Sequence, residues 1–115
     1  MKRVLVVDDN QDLAENIAEI LSLRGFVATV ATSAEEALPM ALPEGPELLV
    51  TDFRLPDMTG AELVQQVRRH RQAVRAIVIS AYTDDGTVAA AKDAGADFLP
   101  KPVDVGALSR LLTAA

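Results

Sequence analysis

The feature that most narrows the folds open to this chain is a recurrence of short apolar runs, each ending abruptly on polar residues. Val4-Leu5-Val6-Val7 leads into Asp8-Asp9-Asn10, Leu48-Leu49-Val50 into Thr51-Asp52, and Ala76-Ile77-Val78-Ile79 into Ser80. These runs are too short to be helices, are rich in β-branched residues, and do not alternate between apolar and polar. That is the pattern of strands buried on both faces, which occurs where helices cover both sides of a parallel sheet.

The intervening segments carry the helical period. Leu13, Ile17, Ile20 and Leu21 recur on one face of a first helix from Asp12 to Arg24, and Gly25 supplies its stop. Phe26 to Val30 reads as a second strand, more mixed in composition, as an edge strand would be. Ser33 and Glu36 form a capping-box pair that opens a second helix, in which Pro39 predicts a kink or an early end. Pro43, Gly45 and Pro46 mark the loop into the strand Leu48–Asp52. After the turn formers Phe53 to Gly60, a third helix covers Ala61 to Val67, with Arg68, Arg69 and Arg71 placed where the helix dipole favours cations. A fourth strand spans Ala76–Ser80, an alanine-rich fourth helix runs from Asp84 to Ala94 before Gly95, and Asp97-Phe98-Leu99 forms a short fifth strand. Asp104 caps a last helix running to about Ala114.

Five strands alternating with five helices predict an α/β, flavodoxin-like three-layer sandwich. Its parallel sheet takes the order 2-1-3-4-5, the commonest that right-handed crossovers leave open. With 115 residues the chain is expected to form one domain, 1–115. In that order the switch point lies between strands one and three, so Asp8, Asp9 and Asp52 converge on one crevice, with Ser80 and Lys101 closing its other side.

Composition removes several function classes. The chain has no cysteine, which excludes disulfides and thiolate chemistry. A net charge of -6 argues against direct binding of nucleic acid by phosphate neutralisation. No apolar run approaches the ~20 residues of a membrane span, and the start is too short for a signal peptide before the first strand, so a cytoplasmic location without membrane attachment is expected. The crevice itself demands a cation. At ~4 Å and an effective dielectric of ~20, each pair of carboxylates costs on the order of 4 kcal/mol. One lysine cannot offset that, whereas Mg²⁺, with its preference for oxygen ligands, can. A carboxylate nucleophile, an ammonium and a hydroxyl beside such an ion meet the needs of phosphoryl transfer.

The acidic pair Asp8-Asp9, the run Val50-Thr51-Asp52, the loop Leu55-Pro56-Asp57-Met58-Thr59-Gly60, Ser80-Ala81 and Lys101-Pro102 stand in one order and at one spacing. With this set the chain resembles, over essentially its whole length, a response-regulator receiver domain of two-component signalling, similar to the chemotaxis regulators. The resemblance implies that Asp52 accepts a phosphoryl group from a histidine kinase or a histidine phosphotransfer domain. It implies that Asp9, Asp52 and the backbone carbonyl of Arg54 ligate Mg²⁺, with Asp8 acting through a metal-bound water. Ser80 and Lys101 would hold the phosphoryl oxygens, and Ser80 with Phe98 would switch the surface of the fourth helix, fifth strand and fifth helix, where a partner or a second copy could dock. The Lys101-Pro102 bond would be cis. Arg54 and Tyr82, at the entrance, would exclude water and give slow self-dephosphorylation. Such a domain is a signalling device, an enzyme only towards its own phosphorylation and dephosphorylation.

Plainer readings stand beside these. Adjacent acids are often a solvated turn, Ser80 could be a strand-end hydroxyl, and Phe98 could be an ordinary core aromatic. His70, among arginines at a helix end, reads as exposed and inert. A haloacid-dehalogenase-type phosphatase would need an Asp-x-Asp motif, and a nucleotide-binding module a glycine-rich loop after the first strand; neither is present. A pseudo-receiver used only for docking would lack an acid or the lysine, and all are present. The sequence carries no output segment after residue 115, so a single-domain regulator and a domain of a longer regulator or hybrid kinase both remain open.

Overall fold

The computed structural model describes residues 2–114. The elements follow one another as β1 (Arg3–Val7), α1 (Gln11–Leu23), β2 (Val27–Ala31), α2 (Ala34–Ala41), β3 (Leu48–Asp52), α3 (Gly60–His70), β4 (Arg75–Ser80), α4 (Asp85–Asp93), β5 (Asp97–Pro100) and α5 (Val105–Thr113). All strand pairs are parallel and the sheet order is β2-β1-β3-β4-β5. The architecture is the flavodoxin-like sandwich that the sequence predicts.

The unbroken apolar runs are explained by two separate cores. Leu5, Val7, Leu49 and Val78 point to one side of the sheet, where they pack with Leu63, Val64 and Val67 of α3 and Ala91 of α4. Val4, Val6, Leu48, Val50, Ile77 and Ile79 point to the other, against Ile17 and Leu21 of α1 and Leu108 and Leu112 of α5. Because successive strand residues face opposite sides, both parities must be apolar. Val, Leu, Ile and Ala supply nearly all of this, since aromatics are only 3% of the chain.

Five side-chain caps fix where helices begin: Asn10, Ser33, Thr59, Asp84 and Asp104 each accept a hydrogen bond from the backbone N–H three residues on. The reciprocal arm at Ser33 is shifted, because Glu36 accepts from the amide of Thr32 rather than from that of Ser33 itself. Gly25 adopts φ +94, the left-handed conformation expected of the stop after α1. The second strand starts one residue later than the composition suggests. Phe26 is instead a buried plug whose amide bonds the carbonyl of Leu21, so its hydrophobicity reports burial and not pairing. Helix α3 extends through Arg68, Arg69 and His70, because its last turn is carried by arginines that hydrophobic periodicity does not register. Pro39 lies within α2 on its exposed side, and the helix ends two residues later. The Lys101-Pro102 bond is cis, as expected; Leu42-Pro43 is also cis, which no sequence signal indicated.

Register positions the polar strand ends. Val7 lies opposite Thr51, so Asp8 and Asp52 emerge side by side at the carboxyl end of the sheet. The amide of Lys101 donates to the carbonyl of Ser80, which draws the β5–α5 connection to the same end. At the start of α3, Gly60 passes so close to β3 that a Cβ there would stand 2.2 Å from the carbonyl oxygen of Asp52. Glycine is therefore required by contact, not by an unusual φ. Ala is ordinarily the better helix former by roughly 0.5–1 kcal/mol. Gly60→Ala is nevertheless expected to destabilise the protein by about 1–3 kcal/mol, the usual cost of overpacking, read as a lower urea midpoint. An unchanged or raised midpoint would show that the α3 start can retreat from β3.

Candidate functional site

At the carboxyl end of the sheet, Asp8, Asp9 and Asp52 each offer a carboxylate oxygen, and these oxygens all lie within 4.8 Å of one another. Asp8 is buried, its Oδ1 accepting from the amide of Asn10 at 2.9 Å. Asp9 is exposed and Asp52 is half-buried. Between them reaches Lys101, whose Nζ is 3.2 Å from Asp8 Oδ2 and 3.3 Å from Asp52 Oδ1. The structure thus brings together four of the residues singled out in the sequence, from the ends of β1, β3 and β5.

The electrostatics follow from this crowding. Burial, then the neighbouring charge of Asp8, raise the carboxyl of Asp52 above the ordinary 3.8, and the opposing pull of Lys101 does not cancel them. For Lys101 burial works against the charge, yet Asp52 and Asp8 together hold its affinity for the proton above the ordinary 10.5. The ammonium is accordingly retained at all physiological pH values. One cation facing three carboxylates leaves the cluster net anionic and rich in hard oxygen donors, which is the donor chemistry that suits a small divalent ion.

Ser80, at the end of β4, is buried, and its Oγ accepts from the amide of Tyr82 at 2.9 Å. Among the described residues no hydrogen bond joins its hydroxyl to the side chain of Asp52 or Lys101. Phe98 lies opposite Val78 in the register of β4 and β5, half-buried against the core that faces α2, α3 and α4. Arg54 and Tyr82 do meet: the guanidinium carbon sits 4.2 Å from the centroid of the ring, which is half exposed. That stack joins the loop after β3 to the loop after β4, and the cationic head is attracted by the negative face of the ring. His70 is exposed at the end of α3, far along the chain fold from these groups.

The loop that carries Arg54 is ordered as a small hairpin, which the turn formers alone did not reveal. Arg54 and Thr59 form an antiparallel bridge, Leu55 N–H donates to the carbonyl of Met58, and Gly60 N–H donates to that of Phe53. Its tip, Asp57, accepts from the amides of Ala34 at 3.0 Å and Glu35 at 2.7 Å, in the first turn of α2. The signal missed was the acid after Pro56, which read only as a turn former.

The raised affinity of Asp52 for its proton has a consequence for stability. A carboxyl held above its ordinary value stabilises the fold while protonated, and that contribution is lost as pH rises past 3.8 through the folded-state value. In metal-free buffer Asp52→Asn is therefore expected to unfold at higher urea than the wild type at pH 7, with the difference closing as pH falls through the raised folded-state value towards 3.8. A less stable variant at pH 7 would mean that pairing with Lys101 outweighs burial and the repulsion of Asp8.

The model of the response regulator receiver domain family matches residues 4–113. A response regulator receiver protein of Anaeromyxobacter sp. is 45% identical over 106 residues, covering 91% of this chain and 44% of that protein. The photosynthetic apparatus regulatory protein RegA of Cereibacter sphaeroides is 33% identical over 114 residues, covering 98% of this chain and 62% of RegA. The chain thus spans less than two thirds of these two relatives. Among solved structures, the CheY-like receiver domain protein of Methanospirillum hungatei superposes with a TM-score of 0.91 at 30% identity, covering 97% of this chain and 90% of that one. A response regulator of Burkholderia pseudomallei, whose structure contains a phosphorylated aspartic acid and a calcium ion, gives 0.90 at 30% identity, covering 99% of this chain and 68% of that one. A match across nearly every residue, on a fold and a strand-end cluster that the sequence had already outlined, places the chain in the family of response regulator receiver domains of two-component signalling.

Proposed function

We propose that this chain forms one receiver domain whose phosphoacceptor is Asp52, taking the phosphoryl group from the phosphohistidine of a histidine kinase or a histidine phosphotransfer domain. The observation that carries the reading is the convergence of Asp8, Asp9 and Asp52 within 4.8 Å, with Lys101 at 3.3 Å from Asp52. The Burkholderia relative with its phosphorylated aspartic acid and calcium ion supports it. In the transfer, an Asp52 carboxylate oxygen forms the new bond to phosphorus, the bond from phosphorus to the histidine nitrogen breaks, and the imidazole leaves. Lys101, freed from Asp52 as that oxygen is esterified, turns its ammonium to the equatorial oxygens. Ser80 exchanges the Tyr82 amide for a phosphoryl oxygen, using a hydroxyl that can donate as well as accept.

Asp9, Asp52 and the backbone carbonyl of Arg54 are the groups to hold Mg²⁺, with Asp8 behind them through a water. When bound, the ion neutralises the clustered carboxylates and offsets charge on the transferring group. Movement of Ser80 towards the phosphoryl group leaves room for Phe98 to turn inward, which biases the surface of α4, β5 and α5 between two arrangements. That surface is the place for a downstream partner or a second copy. The domain acts as a signalling element of the cytoplasm that catalyses only its own phosphorylation and hydrolysis.

Incubation with a small-molecule phosphodonor and Mg²⁺ should add one phosphoryl group by intact mass, and both Asp52→Asn and EDTA should abolish it. Labelling that survives either change would move the acceptor elsewhere. The Arg54–Tyr82 stack generates a second expectation, on lifetime. Hydrolysis needs a water in line with the Asp52 oxygen, and on this reading the stacked Arg54 and Tyr82 stand over that approach. An arginine that pairs equally with ground and transition states does not accelerate the step. Arg54→Asn with Tyr82→Ala should therefore speed decay of the phosphorylated protein by about tenfold, a barrier change of roughly 1.4 kcal/mol. Unchanged or slower decay after donor removal would show that the pair does not gate water.

A further inference from the structure

The hairpin after the acceptor strand is fastened at both ends, and the outer fastening comes from a residue to which no catalytic or metal role has been given above. At its base, Gly60 lies against the Asp52 carbonyl and its amide bonds Phe53. At its tip, Asp57 spans 23 residues of sequence to meet Ala34, and 22 to meet Glu35. Both oxygens are used, one on each amide, so the carboxylate is held in two directions and not merely tethered. Desolvation pushes its pKa up, and the hydrogen bonds from Ala34, Glu35 and its own loop outweigh that push and leave the carboxyl below the ordinary range. Helix α2 already has its own cap in Ser33, which accepts from Glu36. Asp57 takes two other first-turn amides that no side chain of α2 reaches.

Between the two fastenings lies Arg54, paired across the hairpin with Thr59. A backbone carbonyl can be aimed only by the peptide planes beside it, and these are set by the ladder of the hairpin. We propose that Asp57 is a positioning residue for the metal site: by latching the hairpin tip to the start of α2, it fixes the direction of the Arg54 carbonyl. The inference rests on the reading of Arg54 as a carrier of a metal-facing carbonyl. It assigns α2 a part in the site, although that helix contributes no group to the cluster. The Arg54 guanidinium, stacked on Tyr82, shares the same support.

The test separates latching from general stability. Mg²⁺ affinity is measured by calorimetry, and amide exchange at Leu55 and Gly60 is measured in metal-free protein, for wild type, Asp57→Ala, Asp57→Asn and Ser33→Ala. Asp57→Ala should weaken Mg²⁺ binding by about three- to tenfold, within or just below the range for groups that orient a metal ligand, and should speed exchange at Leu55 and Gly60. Asp57→Asn, which keeps one accepting oxygen, should fall between it and wild type. Ser33→Ala should lower the melting temperature through loss of a cap on the same helix and leave affinity and hairpin exchange unchanged. Wild-type affinity in Asp57→Ala, or equal weakening in Ser33→Ala, would overturn the positioning role. Failure of the wild type itself to bind Mg²⁺ would instead overturn the metal-site reading, and this role with it.

Discussion

The pairing of Lys101 with Asp8 and Asp52 is the contact on which the rest of the site depends. Three carboxylates brought to one point by a parallel sheet repel one another, and the burial of Asp8 and half-burial of Asp52 strengthen the repulsion. A single ammonium lets the fold close around them without neutralising them. The result is a site held short of electrostatic balance: stable enough to be prebuilt, and still anionic enough to favour a divalent ion. The sheet bears the strain of this arrangement because β1, β3 and β4 are packed on both faces by aliphatic side chains that have no alternative burial.

The groups around the cluster are arranged by backbone more than by side chain. The amide of Lys101 on the Ser80 carbonyl brings the β5–α5 connection to the site, and the amide of Tyr82 occupies the Ser80 hydroxyl. The hairpin from Phe53 to Gly60 carries Arg54, which lies on Tyr82. Lys101 and Ser80 each hold a polar partner that a competing group can replace, and Phe98 is only half-buried. That is the physical basis for expecting a switch without refolding.

Much of this was legible in the residues themselves. Val4–Val7, Leu48–Val50 and Ala76–Ile79 identify central strands because unbroken apolar runs report burial on both faces, and Phe26–Val30 identifies an edge strand because its pattern is mixed. The misplacements have the same root. Phe26 is buried without being in the strand, and Arg68 to His70 are helical without being apolar, so hydrophobicity misjudges both. Arg71 is a further case: at the end of α3 it read as a cation placed for the helix dipole, yet its guanidinium donates to the carbonyls of Ala41, Gly45 and Pro46 and holds the loop between α2 and β3.

By itself the sequence determined the order of strands and helices, the polar residue at the end of each central strand, and hence the chemical inventory of the crevice. It did so because periodicity and turn residues are local signals of burial and chain direction. Tertiary structure alone decided the partners: Lys101 bridging Asp8 and Asp52, Ser80 occupied by Tyr82, Arg54 stacked on a ring, and Asp57 reaching the start of α2. Apart from that of Ser80 with Tyr82, those contacts join residues from different crossover units or loops. A one-dimensional pattern records whether a side chain is buried, whereas which atom it meets is set by register and by the paths of loops, which no local period encodes.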